Sequence, residues 1–352
     1  MRPRSWTNVG AMTSPAERFA AAKLRGKHPL TIEFIEQFDF GFDDFQIAAC
    51  QAVEDGKGVL VAAPTGAGKT VVGEFAAFSA LAQGKKCFYT TPIKALSNQK
   101  FQEFVERFGE DRVGLLTGDT NINSEADVLV MTTEVLRNML YANSSTLKNL
   151  GSVVMDEVHY LADKSRGAVW EEVLIHLMES VQVISLSATV SNAEEFGDWL
   201  GEVRGSTEVI VSEVRPIPLY QHVLIGDRLV DLFREQGRIN PEILGLEREA
   251  MRQVRTPRHR RERFGDGDNR LTRPDIIEKL QRENLLPAIT FIFSRAGCDA
   301  AVKQCLAAGL KLTTTEERVE IAATAARYTQ NLAEEDLEVL GSCSRFEESS
   351  DH

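Results

Sequence analysis

Short apolar runs alternate with longer amphipathic segments between residues 28 and 213 of this 352-residue chain. Each run has the length and the β-branched content of a buried strand, and each longer segment has helical spacing. Strands that alternate with helices form right-handed βαβ units, so the pattern predicts a parallel α/β sheet with helices on both faces. The predicted strands are residues 59–63, 87–90, 128–131, 153–155, 183–186 and 209–211. The predicted helices are residues 71–82, 93–108, 135–141, 169–178 and 193–200.

The rest of the chain divides into segments of different composition. An apolar run at residues 288–293 predicts the opening strand of a second α/β domain, and helices are predicted at 297–306, 316–328 and 333–340. A lone strand cannot form a buried parallel sheet, so this second domain is expected to be incomplete. The predicted organisation is an N-terminal tail (1–27), a first domain (28–213), a linker with an arginine-rich insertion (214–287), a partial second domain (288–341) and an atypical tail (342–352).

Composition disfavours several classes of protein. Acidic residues outnumber basic ones by 52 to 40, and the resulting charge of −12 disfavours a chain that coats nucleic acid nonspecifically. Five cysteines without a CxxC pair and six histidines without an HExxH pair predict no disulfide framework and no structural zinc. No apolar run approaches the roughly 18–20 residues of a membrane span, and residues 1–15 carry two arginines with no apolar stretch after them, so a cytoplasmic protein is expected. The arginine-rich stretch at 252–273 is interpreted as a solvated insertion, because Phe264 is its single aromatic residue, and RNA binding stays open as the alternative.

A glycine-containing turn between the first predicted strand and the next helix carries the strongest chemical signal. It fits the phosphate-binding loop except that alanine stands at the first position. Glycines let backbone N–H groups face phosphates without obstruction by a Cβ atom, and the helix that follows directs its positive dipole end at the anion. Lys69 is predicted to reach the β- and γ-phosphates, and Thr70 to place its hydroxyl on Mg²⁺. The residues of this loop are Ala63, Pro64, Thr65, Gly66, Ala67, Gly68, Lys69 and Thr70.

Two adjacent carboxylates, Asp156 and Glu157, follow the predicted strand at 153–155. At the end of a strand both side chains can turn toward the crevice where ligands bind in α/β sheets. Asp156 is predicted to hold Mg²⁺ through water, and Glu157 to orient and deprotonate an attacking water. A solvated strand end would explain the pair if it stood alone, but the phosphate loop about 90 residues upstream favours the catalytic interpretation.

The segment Asp156-Glu157-Val158-His159 resembles the DExH box of superfamily-two helicases, and other motifs of that family appear in its order. Phe45-Gln46 resembles the adenine-reading glutamine motif, and residues 89–100 resemble motif Ia with the Ser-Asn-Gln-Lys ending typical of the Ski/Mtr group. Within that group the chain is most similar to the actinobacterial HelY type. The resemblance implies a RecA-like P-loop NTPase domain, a linker and the start of a second RecA-like domain. The remaining motif-like segments are 117–119, 131–137, 187–189 (motif III) and 291–295 (motif IV).

The resemblance assigns roles to single residues. It implies ATP and Mg²⁺ as cofactors, with Lys69, Asp156 and Glu157 as catalytic residues and Thr70 and Asp156 at the metal. Gln46 would bond the adenine edge, with Phe38 or Phe40 available for stacking. Backbone contacts to single-stranded nucleic acid are sequence-tolerant, as a translocating enzyme needs. The residues implied to line the strand channel are Pro92, Lys94, Thr117, Gly118, Thr132, Thr133 and Glu134. The residues implied to couple this channel to ATP are His159, Ser187, Ala188 and Thr189.

The implied activity is that of an ATP-dependent RNA helicase, monomeric, moving 3′ to 5′ on single-stranded RNA, with an RNA-degrading complex as a family partner. Two alternatives stay open: a DNA helicase of the repair type, and a module that binds nucleotide or RNA without turnover. Motif V and the arginines of motif VI, which the second domain of this family supplies, do not occur in the sequence. An arginine finger is worth roughly 10³–10⁵ in rate, so poor turnover is expected of this chain alone. The departure from the family begins after Gly341, which suggests a C-terminal truncation.

Overall fold

A computed structural model of the protein describes residues 26–163, 167–188, 193–234, 237–254 and 271–329. The chain divides into two compact units, Met1–Pro218 and Leu219–His352. The predicted helix at 333–340 and the tails at 1–25 and 342–352 lie outside the described residues.

The first unit is built on an eight-stranded sheet. Its strands are β1 (Gly58–Ala62), β2 (Lys86–Thr91), β3 (Val113–Leu116), β4 (Asn121–Ile122), β5 (Val128–Thr132), β6 (Leu150–Met155), β7 (Gln182–Ser187) and β8 (Thr207–Val211). Its helices are α1 (Pro29–Ile35), α2 (Asp44–Glu54), α3 (Thr70–Ala82), α4 (Lys94–Phe108), α5 (Thr133–Tyr141), α6 (Gly167–His176) and α7 (Ala193–Arg204). The strand order is β4-β3-β5-β2-β6-β7-β1-β8, and every pairing is parallel except that of β3 with β4. The RecA-like parallel sheet predicted from the sequence is therefore confirmed.

Strand alternation divides the apolar side chains between two cores, one on each face of the sheet. Val59 and Val61 of β1 join the core that α1–α4 cover, whereas Leu60 between them joins the core that α5–α7 cover. Trp170 of α6 is completely buried in the second core. Because both faces are covered, the central strands are mostly apolar, which is why the sequence marks them as apolar runs.

The helix ends are held by charged side chains from distant parts of the unit. Glu54 accepts bonds from the backbone N–H groups of Leu30 and Thr31 at 2.9 and 2.8 Å, which satisfies the free donors at the start of α1. Arg204, at the end of α7, closes the carboxyl end of α6. Its guanidinium donates to four carbonyl oxygens there, those of Leu177 at 2.6 Å, Met178 at 2.7 Å, Val181 at 2.9 Å and Leu174 at 3.4 Å.

The second unit contains a hairpin and four helices in its described part. The strands are β9 (His222–Ile225) and β10 (Arg228–Asp231), paired antiparallel, and the helices are α8 (Pro241–Val254), α9 (Arg273–Arg282), α10 (Arg295–Ala307) and α11 (Thr315–Thr329). Helices α10 and α11 confirm the predictions at 297–306 and 316–328. No helix in the described part of the chain is long and apolar enough to cross a membrane.

The strand predicted at residues 288–293 is wrong, because these residues adopt no strand conformation. Ile289 and Phe291 are 82% and 84% exposed. A parallel strand is stable only between neighbours that take its hydrogen bonds, and residues 271–329 contain no other strand to pair with it.

Candidate nucleotide site and nucleic-acid interface

Apart from Gln46, which lies on α2, the described residues of the predicted site lie at or after the carboxyl ends of six parallel strands, which meet at one edge of the sheet. The adjacent strands β6, β7 and β1 lead into Asp156, Ala188 and the loop that begins at Ala63. The adjacent strands β2, β5 and β3 lead into the residues predicted to contact nucleic acid. The strand order thus places the nucleotide residues on one half of the edge and the nucleic-acid residues on the other half. Ligands of open α/β sheets bind at this edge.

The loop from Ala63 to Thr70 connects β1 to α3 and has the conformation of an anion cradle. Gly66 and Gly68 have φ angles of +83° and +78°, which residues with a Cβ atom rarely adopt. The loop is tied to β7 by the Ala63 N–H, which donates to the Ser187 carbonyl oxygen at 3.2 Å. Thr65, Gly66 and Gly68 are exposed, so the loop backbone is open to a ligand from outside.

Lys69 is half-buried at the start of α3, and its ammonium closes the loop upon itself. The Nζ atom donates to the carbonyl oxygens of Ala63 at 2.8 Å and Pro64 at 3.0 Å. Burial lowers the pKa of Lys69, while the carboxylates of Glu157 and Asp156 act in the opposite direction. An ammonium has three donors, so one donor beyond these two bonds is available to a phosphate oxygen. Lys69 and the acidic pair follow β1 and β6, whose carboxyl ends lie at the same edge of the sheet.

Gln46 is buried and braces the loop from the side of α2. Its Nε2 atom donates to the carbonyl oxygen of Gly68 at 3.0 Å, and its Oε1 atom accepts from the N–H of Asp43 at 2.8 Å. The predicted adenine contact would therefore have to share or replace these bonds. Phe38 is half-buried and Phe40 is 52% exposed, so Phe40 is the more accessible ring for stacking.

Asp156 stands directly after β6 with both carboxylate oxygens engaged. The Tyr89 hydroxyl donates to Oδ2 at 2.8 Å, and the Glu157 N–H donates to Oδ1 at 2.9 Å. Burial raises the pKa of Asp156, and the hydrogen bond from Tyr89 partly offsets that effect.

Glu157 adopts the left-handed conformation, with a φ of +53°. A non-glycine residue in this region costs of order 1 kcal/mol and persists where the surrounding structure holds it, as at functional sites. Burial raises the pKa of Glu157, and the charge of Asp156 raises it further. A carboxylate with a raised pKa is better suited to accept a proton near neutral pH.

Three of the four residues predicted to couple the two halves, His159, Ser187 and Ala188, lie at or after the ends of the adjacent strands β6 and β7, as the acidic pair does. The Nδ1 atom of His159 is 3.3 Å from Glu157 Oε2, although the angle does not give a hydrogen bond. Ser187 ends β7 with a buried hydroxyl that has no hydrogen-bond partner among the described residues, and Ala188 is half-buried beside it. Thr189 lies outside the described residues.

The predicted nucleic-acid residues form a continuous polar border after β2, β5 and β3. Lys94 begins α4 and forms an ion pair with Asp119, whose other carboxylate oxygen accepts from the Thr117 hydroxyl at 3.0 Å. Thr133 begins α5, and its hydroxyl donates to the Thr91 carbonyl oxygen at 3.3 Å. The amino ends of α4 and α5 both open at this border, where their free N–H groups favour anions. The other predicted residues here are Pro92, which is buried, Gly118, which is exposed, and Thr132 and Glu134, which are half-buried.

The side chains of Thr70 and Asp156 offer oxygen atoms as metal ligands, and oxygen ligands are the kind that magnesium prefers. Thr70 is half-buried in the first turn of α3, and Asp156 presents a fixed carboxylate. In the described part of the chain no group of three His, Cys, Asp or Glu side chains could hold a metal ion. An ion between Thr70 and Asp156 would therefore need phosphate and water oxygens as further ligands, which is how Mg²⁺ is usually held beside nucleotides.

The contact between Tyr89 and Asp156 was not predicted, although Tyr89 lies in the segment at 89–100 that resembles motif Ia. A tyrosine inside an apolar strand usually needs a partner for its hydroxyl, and that requirement was the available signal. Its partner Asp156 is 67 residues away in the chain, so the sequence did not identify it.

Comparison with known proteins agrees with this geometry. Residues 43–196 match the family model described as DEAD/DEAH box helicase. The chain is 56% identical over 322 residues to a protein of Mycobacterium leprae named probable helicase HelY, an alignment that covers 88% of this chain and 35% of the relative. It is 44% identical over 310 residues to the DExH-box ATP-dependent RNA helicase DExH15 of Arabidopsis thaliana, covering 77% and 26%. It is 40% identical over 302 residues to Superkiller complex protein 2 of Mus musculus, covering 81% and 24%. The chain thus spans 24% to 35% of the length of these relatives.

Proposed function

Because the chain belongs to the DEAD/DEAH-box helicases through the domain at residues 43–196, we propose that it is the ATP-binding part of a DExH-box RNA helicase. The observation that carries this proposal is the meeting of a phosphate loop, an acidic pair and a polar border at one sheet edge. In this proposal ATP and Mg²⁺ bind over β1 and β6, and single-stranded nucleic acid lies along the ends of β2, β5 and β3.

In the nucleotide half, different residues would bind the phosphates, hold the metal and activate the attacking water. The loop amides and Lys69 would bind the phosphates, and Thr70 and Asp156 would hold magnesium, which when bound neutralises charge on the phosphate oxygens. Glu157 would orient the attacking water and accept its proton at a carboxylate oxygen, a task that its raised pKa favours. Gln46 would keep the loop in the binding conformation through its bond to the Gly68 carbonyl oxygen.

The nucleic-acid half would hold the strand through its phosphates. Lys94 would exchange its partner Asp119 for a phosphate oxygen, and the amino ends of α4 and α5 would supply further N–H donors. Such contacts carry no base information and would allow movement along the strand, 3′ to 5′ in the complete protein. Ser187, Ala188 and Thr189, together with His159, would transmit the state of the nucleotide to this border.

RNA is the proposed substrate because the plant relative named an ATP-dependent RNA helicase is 44% identical to this chain. An assembly with RNA-degrading partners is proposed from the relative named as a superkiller complex protein. A cytoplasmic monomer remains part of the proposal. Matched RNA and DNA oligonucleotides decide the substrate, since an RNA-preferring channel can bond the 2′-hydroxyl. Tighter binding of the DNA oligomer would favour the repair-type alternative.

Glu157→Gln is the direct test of the enzymatic proposal. With the chain in excess over radiolabelled ATP, the unmodified protein should hydrolyse ATP slowly, and the variant should bind ATP equally well but not hydrolyse it. Glu110→Gln, an exposed carboxylate beyond α4, is the matched control and should behave as the unmodified chain. If Glu157→Gln retains full single-turnover hydrolysis, Glu157 is not the base. If neither protein hydrolyses ATP while both bind it, the chain acts as a binding module.

A further inference from the structure

Tyr89 of β2 contacts three functional segments: the acidic pair, the helix α3 that follows the phosphate loop, and the helix α4 that begins at Lys94. Its side chain is completely buried, and its hydroxyl donates to Asp156 Oδ2 at 2.8 Å. The other carboxylate oxygen accepts from the Glu157 N–H at 2.9 Å. With one donor on each oxygen, the plane of the Asp156 carboxylate is fixed from two directions.

The ring of Tyr89 packs tightly between the helices on this face of the sheet. On α3, the helix that begins at the phosphate loop, Gly73 leaves room for it, since a Cβ atom there would lie 2.7 Å from the ring. On α4, the helix that begins at Lys94, Phe104 meets the ring edge to face at 5.1 Å. The ammonium of Lys100, also on α4, lies 5.7 Å from the ring centroid and pairs with Glu103. The hydroxyl therefore has little freedom to leave Asp156.

We propose that Tyr89 is a positioning residue that holds the Asp156 carboxylate in the orientation needed to bind the magnesium of Mg·ATP. The inference deepens the proposed function and depends on it. Hydrogen bonds to a metal-binding carboxylate orient it, and removing one typically costs 10- to 100-fold in metal affinity. Because the same ring touches α4, a movement of that helix on binding nucleic acid would reach the metal side of the nucleotide site through Tyr89.

Tyr89→Phe in the full 352-residue chain removes the hydroxyl and keeps the ring. The measurement is the dissociation constant of a fluorescent ATP analogue, determined once with Mg²⁺ in excess and once in EDTA. We expect roughly 10- to 100-fold weaker binding in Mg²⁺ and little change in EDTA. We also expect a correspondingly higher Mg²⁺ concentration at half-saturation. Tyr141→Phe, which removes the hydroxyl of a tyrosine on α5 that is 54% exposed, is the matched control and should change neither constant.

A purely structural role would weaken binding equally in Mg²⁺ and in EDTA, and that result would overturn the inference. So would an unchanged Mg²⁺ dependence in a variant with an unchanged melting temperature. If Tyr89→Phe does not fold, Gly73→Ala provides a second route, because the added methyl group displaces the ring without removing a polar group. It should show the same loss confined to Mg²⁺, and an equal loss in EDTA would again contradict the inference.

Binding to the unmodified chain distinguishes failure of the proposed Mg·ATP site from failure of the role given to Tyr89. If it binds the analogue no more tightly in Mg²⁺ than in EDTA, the proposed Mg·ATP site itself is refuted. If it shows the Mg²⁺ dependence and Tyr89→Phe retains it in full, only the role of Tyr89 is refuted.

Discussion

Replacing Gly68 by alanine tests whether the loop conformation seen here is the one that binds nucleotide. Gly68 has a φ of +78°, and a Cβ atom there would lie 2.6 Å from Nε2 of Gln46. The left-handed backbone costs an L-residue roughly 1–2 kcal/mol. Displacing Gln46 from its 3.0 Å bond to the Gly68 carbonyl oxygen costs about 1 kcal/mol more. The total penalty is therefore about 2–3 kcal/mol.

This penalty can appear in either of two measurements. If the loop keeps its conformation, the free energy of unfolding falls by the full amount. If the loop relaxes, ATP must restore the strained form, and affinity falls by up to roughly 30- to 140-fold. The assay combines urea denaturation with titration of an ATP analogue, and the two losses in free energy should add up to about 2–3 kcal/mol.

Gly56→Ala is the matched control, because Gly56 also has a φ of +78° but has open space where its Cβ atom would lie. It follows α2 and precedes β1, at the end of that strand opposite the loop. Its loss should be about 1–2 kcal/mol in stability, with no change in nucleotide affinity. A combined loss for Gly68→Ala no larger than that for Gly56→Ala would refute the role given to Gln46 and to the loop conformation.

Two further predictions concern the fold. Arg204→Met removes the charged hydrogen bonds at the carboxyl end of α6. The variant should lose about 2–4 kcal/mol of stability, because the group is partly exposed, and its melting temperature should fall by roughly 5–15 °C. Arg215→Met, at an exposed position, is the control, and equal melting temperatures for the two variants would contradict the role given to Arg204. Brief alkylation of the native chain followed by peptide mass spectrometry should label the exposed Cys298 and spare Cys50 and Cys87, because both are buried and burial raises the pKa of Cys87 to about 12; rapid labelling of Cys87 without unfolding would contradict its position in the core.

The central strands were predictable to within a few residues, because strands covered on both faces contain short apolar runs. The resemblance to HelY-type and Ski-type helicases is likewise confirmed. The short strands β3 and β4 were not predicted, since β3 contains Gly114 and β4 has two residues. The apolar run at 288–293 was wrongly taken as a strand, because its composition fits one while residues 271–329 contain no strand to pair with it.

In the candidate site, too, the positions of residues were predictable from the local sequence, whereas contacts between distant residues were not. The positions of Lys69 and Asp156 at one edge followed from the strands that precede them. The hydrogen bond from Tyr89 to Asp156 and the ion pair of Lys94 with Asp119 did not, since each joins residues far apart in the sequence. Such contacts depend on tertiary packing, which hydrophobic periodicity does not encode.

A crystal structure of the chain with Mg²⁺ and a non-hydrolysable ATP analogue would show whether the phosphate loop and the acidic pair bind one nucleotide. We expect the β- and γ-phosphates within about 3 Å of Lys69 Nζ, with the metal between the Thr70 hydroxyl and the Asp156 carboxylate. A nucleotide bound elsewhere, with Lys69 still bonded to the carbonyl oxygens of Ala63 and Pro64 and no metal beside Asp156, would contradict it.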